Sequence, residues 1–128
     1  MKVEVYRAPG GVLWWRDECL WQLSVSAGHE VDVDEMLEFA EAARRYRGEA
    51  KAPLLVDRTH SYSPSFAALQ YIGANAPQFF SAIAYYAPTG PAVAASAIVK
   101  DTFLRGMPVA IFTDESEAVR WLKKFVIA

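Results

Sequence analysis

The chain has 128 residues, 53% of them hydrophobic, and its 13 lysines and arginines against 15 acids give a formal charge of −2. That is the size of one domain with a core of its own. The near-balanced charge, with no long basic block, excludes the electrostatic footprint of a nucleic-acid-binding protein, and the single cysteine, Cys19, excludes an internal disulfide framework and fits a reducing compartment.

The first residues, Met1-Lys2-Val3-Glu4-Val5, carry charge where a secretion signal needs an apolar core, so a cytoplasmic location is expected. Val3 to Tyr6 alternates apolar and polar residues and stops at Pro9-Gly10-Gly11. Val12–Arg16 and Cys19–Val25 follow as a hairpin about Asp17-Glu18. Cys19, Trp21, Leu23 and Val25 share one face of the second strand, which predicts a buried, small apolar role for Cys19. Trp14 and Trp15 are adjacent, so they point to opposite faces and one of them belongs in the core.

From Asp34 to Arg47 the period becomes helical. Leu37, Ala40, Ala43 and Arg47 follow one stripe, which Met36, Phe39 and Tyr46 widen. Acids crowd the start and arginines the end, as the helix dipole favours, and Gly48 offers a stop. Pro53-Leu54-Leu55-Val56 reads as a buried strand ending at Asp57. Ser63-Pro64 supplies an N-cap and first-turn proline for a helix to about Ala74. A strand over Phe80–Ala87, a helix over Pro91–Leu104, a strand over Pro108–Phe112 and a helix capped by Asp114 and Glu117 complete the order. The last helix turns Ala118, Trp121, Leu122 and Phe125 inward. The alternation predicts an α/β domain: one mixed sheet of five to six strands, antiparallel at its N-terminal side, with about four helices.

One stretch stands apart. From Thr59 to Val99, 41 residues, there is no Asp, Glu, Lys or Arg, where ordinary domains carry roughly one charge in four. A helix facing water normally shows a charged face, so something other than water is expected to cover part of this region. Within it, Phe79–Val99 matches a bilayer crossing in length, but Pro88-Thr89-Gly90-Pro91 breaks it into a strand, a turn and a helix, and no membrane span is expected. Interfaces are depleted in Lys, Glu and Asp and enriched in aromatics. A subunit contact through Phe66, Gln70, Tyr71, Phe79, Phe80 and Tyr85, in a symmetric homodimer, is therefore the leading expectation, with an apolar ligand groove as the alternative.

The segment Gly106–Leu122, with Phe112-Thr113-Asp114-Glu115, Glu117-Ala118 and Trp121-Leu122, resembles the C-terminal signature of a bacterial family of small STAS/SEC14-like proteins. The resemblance implies a mixed sheet flanked by helices, often in a dimer, and little about activity. Its better-understood relatives, the anti-sigma-factor antagonists, carry a phosphorylatable serine in Asp-Ser-Ser-Gly after a core strand. The comparable place here reads Asp57-Arg58-Thr59-His60-Ser61-Tyr62-Ser63-Pro64-Ser65 and lacks that element.

This loop is nonetheless the best candidate ligand site. It follows a buried strand and precedes a helix N-terminus, where α/β sheets bind ligands and free N–H groups favour anions. Arg58 suits a carboxylate or phosphate, with Thr59, Ser61, Ser63 and Ser65 as hydroxyl partners and Asp57 and His60 beside them. The simpler reading makes Ser63 the helix cap and pairs Asp57 with Arg58 or a backbone N–H. No hydrolase elbow, phosphate loop or metal-ligand spacing is present, and His29 (beside Glu30) and His60 read as surface loop residues. The expectation is a non-enzymatic, cofactor-free cytoplasmic protein that acts by association: a homodimer with a regulatory or scaffolding role and a possible regulatory protein partner. The alternative is a carrier of a small apolar or lipid-like ligand.

Overall fold

The alternating residues of the N-terminal third build a meander of β1 (Lys2–Ala8), β2 (Gly11–Arg16) and β3 (Leu20–Val25) in the computed structural model. It describes residues 1–60 and 63–127, and of Ser63 the backbone alone. The remaining elements are β4 (Glu30–Val31), α1 (Val33–Arg47), β5 (Ala52–Asp57), β6 (Ser63–Pro64), α2 (Phe66–Phe79), β7 (Phe80–Tyr86), α3 (Gly90–Phe103), β8 (Val109–Phe112) and α4 (Glu115–Lys123). Six strands form one sheet in the order β1-β2-β3-β5-β7-β8, antiparallel through β3 and parallel from there on. This is the mixed sheet with four helices that the order of elements predicts.

The strand register explains the two-layer packing. Trp21, Leu54 and Ile83 lie side by side across β3, β5 and β7, and Leu13, Leu23, Val56 and Tyr85 form the next row. These rows share one face with Phe39 of α1, Ala76 of α2 and Val99 of α3 in one apolar cluster. The alternate residues Leu20, Leu55, Ala82 and Ala84 face the other way, onto Ala118, Val119 and Leu122 of α4. Leu55 and Ile83 are 0% and 2% exposed, so the central strands are covered on both faces. Helices α2 and α3 come close at Gly73, where a Cβ would stand 2.7 Å from the Phe103 carbonyl oxygen.

Local chemistry accounts for the differences from expectation. The β2–β3 turn is Asp17–Cys19, with the Cys19 N–H donating to the Arg16 carbonyl at 3.0 Å and Cys19 in a left-handed conformation (φ 66°). That is the three-residue hairpin with a left-handed last position, so Cys19 is exposed in the turn and not buried in the strand. Neither Trp14 nor Trp15 is fully buried: they take opposite faces, with Lys2 over the Trp14 ring and Arg47 over Trp15. Leu37, expected inward on α1, is 48% exposed, and the inward stripe runs through Met36, Phe39, Ala40 and Ala43. Helix α2 starts two residues later than predicted. Ser65 is its N-cap, accepting from the Ala68 N–H at 3.1 Å, while Ser63-Pro64 pairs in parallel with β4. The Ser65 hydroxyl also donates to Asp32 at 2.7 Å. With the Val33 N–H it holds the α1 cap carboxyl below its ordinary range, which ties the starts of the two helices together.

The β2–β3 turn carries the most perturbed carboxyl. Arg16 donates to both oxygens of Glu18 at 3.0 Å and, through its other terminal nitrogen, to the buried Gln22 at 2.9 Å. The Arg16 hydrogen bonds hold Glu18 at about 2, below the usual 4.5. A depressed carboxyl stabilises the fold above its unfolded value and loses that contribution as pH falls through the folded one. Glu18→Gln should therefore be less stable than the parent at pH 6 by about 1 kcal/mol, the pair being partly screened by solvent, with the gap closing towards pH 2. Urea denaturation at both pH values measures it.

Candidate functional site

A cavity of about 390 Å³ lies between the sheet and the pair α1 and α2. Its floor is made of the two cross-strand rows: Leu13, Trp21, Leu23, Leu54, Val56, Ile83 and Tyr85. Period-2 alternation puts these residues on one face, and the parallel register lines them up across strands. Helix α1 supplies Met36, Phe39, Ala40 and Ala43 at helical spacing, and α2 supplies Ile72 and Ala76. The space exists because the helix positions that face the floor are partly small. The alanines at 40, 43 and 76 are short, whereas Trp21, Phe39 and Tyr85 in the same lining are large.

The lining is not uniform. Its ionisable side chains, tyrosines aside, are Arg44, Arg47 and Glu49, all exposed and all at the end of α1 or just beyond it. Asn75, Gln78 and Phe79 lie at the corresponding end of α2. The mouth therefore sits at the edge where β5 and β7 begin, opposite the edge that holds the loop after β5. Arg44 is engaged by Glu41, at 2.8 Å, which also takes Arg45 at 3.1 Å. The Arg47 guanidinium lies over the Trp15 ring, 3.9 Å from its centroid, and Trp15 packs edge-on against Trp21 at 4.9 Å. A wider depression between β1 and α1, bordered by Glu38, Glu41 and Arg45, has a more charged rim and shares no residue with the cavity.

The expected ligand loop is organised differently. Asp57 accepts from the Thr59 N–H at 2.9 Å and the Thr59 hydroxyl at 2.6 Å, a turn closed on itself. Arg58 is buried, and its Nη1 donates to Ser96 of α3 at 2.9 Å, whose hydroxyl donates onward to the Ala92 carbonyl at 2.8 Å. Its guanidinium thus anchors the loop beneath α3. His60 is exposed, Ser65 caps α2, and Ser61 and the Ser63 side chain lie outside the described residues. His29 pairs with Glu35 of α1, at 2.6 Å, and not with its neighbour Glu30. Among the described residues no group of three His, Cys, Asp or Glu side chains could hold a metal ion, and no helix is long and apolar enough to cross a membrane.

The six residues expected at a subunit contact divide. Phe66 and Gln70 are exposed on α2. Tyr71, Phe79, Phe80 and Tyr85 line the cavity, and Tyr85, at 3% exposure, belongs to its floor and to no outer surface. The cavity residues of β3 and α1 were not singled out by the sequence. The signal that points to them is the pair Ala40 and Ala43 on the inner stripe of α1, opposite the large Trp21 and Tyr85 of the floor.

A family model for a domain of unknown function, DUF7793, matches residues 13–126. The chain belongs to that family. The match takes in every strand of the cavity floor and both helices that wall it. Among solved structures, the DUF7793 chain is similar to an uncharacterised protein of the DUF3478 family, with a SpoIIAA-like fold, from Shewanella loihica PV-4. The TM-score is 0.58 over 95% of this chain and 92% of that one, at 12% identity. A likeness at this identity establishes the fold, which is of the SpoIIAA or STAS type. No curated protein matches the chain.

If Arg58 anchors its loop, removing its α3 partner acts on stability. Ser96→Ala takes away a buried acceptor from a charged donor and should cost about 1.5–3 kcal/mol, measured by chemical denaturation.

Proposed function

We propose that this protein is a cytoplasmic, non-enzymatic binding protein that carries a small apolar ligand between its sheet and the helices α1 and α2. The observation that supports this reading is the apolar cavity of about 390 Å³. Ligand pockets run from about 300 to 1,000 Å³, apolar inside with a few polar groups at defined places, and this one has that character. Water is a poor occupant of its floor, because it needs several polar partners and the floor offers side chains such as Leu54, Val56 and Ile83. The SEC14 side of the family resemblance points the same way.

The test uses Nile red, a neutral apolar dye. The parent should bind it saturably with a blue shift in emission. Ala40→Phe places a ring in the cavity and should abolish that binding with the melting temperature unchanged or raised. A parent that shows no saturable binding would overturn the reading.

A second reading, a homodimeric regulatory or scaffolding module, is favoured by a separate observation. Phe66 and Ile98 are 66% and 65% exposed on α2 and α3, within the charge-free stretch. Phe66 packs edge-on against Phe103 of α3, 6.0 Å away, which joins the two helices at that point. Interfaces of this composition exclude charge. In sedimentation equilibrium the parent should then run as a dimer, and Phe66→Lys with Ile98→Lys as a folded monomer. A monomeric parent at high micromolar concentration removes this reading.

A further inference from the structure

We propose that the ligand of this cavity is an amphiphile with an apolar chain and a carboxylate at one end, and that Arg47 receives the carboxylate. The inference rests on the reading of the cavity as a ligand site and adds the chemical class of the ligand.

Three features of the lining lead to it. The floor and the inner walls carry no acid or base, so any charged end of a ligand must stay at the mouth, among Arg44, Arg47 and Glu49. The charge there is unevenly committed. Arg44 is tied to Glu41 at 2.8 Å, whereas among the described residues Arg47 makes no ion pair, with Glu49 or with any other carboxylate. The position of Arg47 is set by an aromatic ring. Its guanidinium lies over Trp15 at 3.9 Å, and Trp15 in turn packs on Trp21, part of the cavity floor. Stacking occupies a guanidinium's face and leaves its planar edge of N–H donors available, the geometry that takes a carboxylate in two parallel hydrogen bonds. A side chain held this way loses less freedom when it binds than a solvated arginine does.

Volume limits the chain. At roughly 30 Å³ for each water-sized group, about 390 Å³ holds on the order of a dozen such groups. That suits a medium-length chain such as decanoate, with its methylenes over the rows of β3, β5 and β7 and its head at the end of α1. A cationic amphiphile would meet two arginines against one glutamate at the mouth, and a neutral one would leave Arg47 unused.

The experiment measures displacement of Nile red by decanoate and by decanol, at low and at high salt. On the parent both should compete, with decanoate about tenfold the tighter at low salt and the advantage shrinking at high salt. Arg47→Met keeps an unbranched stem over Trp15 and removes the charge. It should bring decanoate to parity with decanol while decanol binding is unchanged. Arg47→Lys should retain part of the preference, and Arg44→Met should leave most of it. If the parent binds both compounds equally, or if Arg47→Met leaves the decanoate advantage intact, the carboxylate assignment is wrong and the cavity reading stands. If neither compound displaces bound dye, the ligand assignment is wrong and the cavity reading stands; if the dye itself does not bind, the cavity reading fails and takes this inference with it. Circular dichroism and the melting temperature of each variant separate loss of binding from loss of fold.

Discussion

The parallel register of β3, β5 and β7 is the constraint on which the other features depend. Because Trp21 stands opposite Leu54 and Leu54 opposite Ile83, one side of the sheet carries continuous apolar rows, and the intervening residues give the other side a matching set. A shift of one residue in any of these strands would exchange the two faces. It would bring Leu20 and Leu55 to the helix pair and Trp21 and Val56 to α4. The helices take their positions from these rows, and the cavity takes its floor from them.

The two faces use small residues to opposite effect. Towards α4 the small residues are on the strand, Ala82 and Ala84, with Ala118 on the helix above them. All three are fully buried, and the helix settles close to the sheet. Towards α1 and α2 the small residues are on the helices, at Ala40, Ala43 and Ala76, while the sheet presents Trp21 and Tyr85 and α1 adds Phe39. Large groups and short ones line the same space. The sheet therefore has one closed layer and one layer with room in it, built from residues of the same chemical class.

This division also gives the uncharged stretch from Thr59 to Val99 two meanings. Part of it needs no charge because it looks inward: Tyr71, Phe79, Phe80 and Tyr85 line the cavity. Part of it faces outward, at Phe66 and Ile98, where the surface is apolar. Composition detects the lack of charge but has no direction. The loop after β5 shows the same limit. Its hydroxyls and its arginine suggest an anion site, yet Asp57 and Thr59 satisfy each other and Arg58 turns under α3 to Ser96, 38 residues further along the chain.

Local chemistry made much of the architecture legible. The period-2 runs, the capping residue Asp114, the stop at Gly48 and the alternation of strand and helix lead to a mixed sheet with four helices, because each of these signals acts within a few residues. Where two local signals competed, the reading slipped: Ser63-Pro64 looks like a helix start, but pairing with β4 draws it into a short strand and leaves the cap to Ser65. Cys19 looks like a strand residue until the three-residue turn claims it. The cavity was not legible in this way. Its lining comes from three strands of the parallel core, a fourth from the hairpin and two helices, brought together by register and by the heights at which the helices rest. Local signals therefore account for most of the elements and their order along the chain, though not for the exposed Leu37 or Cys19. The tertiary structure decided how far apart the layers stand and so where the space lies, because that distance is set by which large and small side chains meet across the gap.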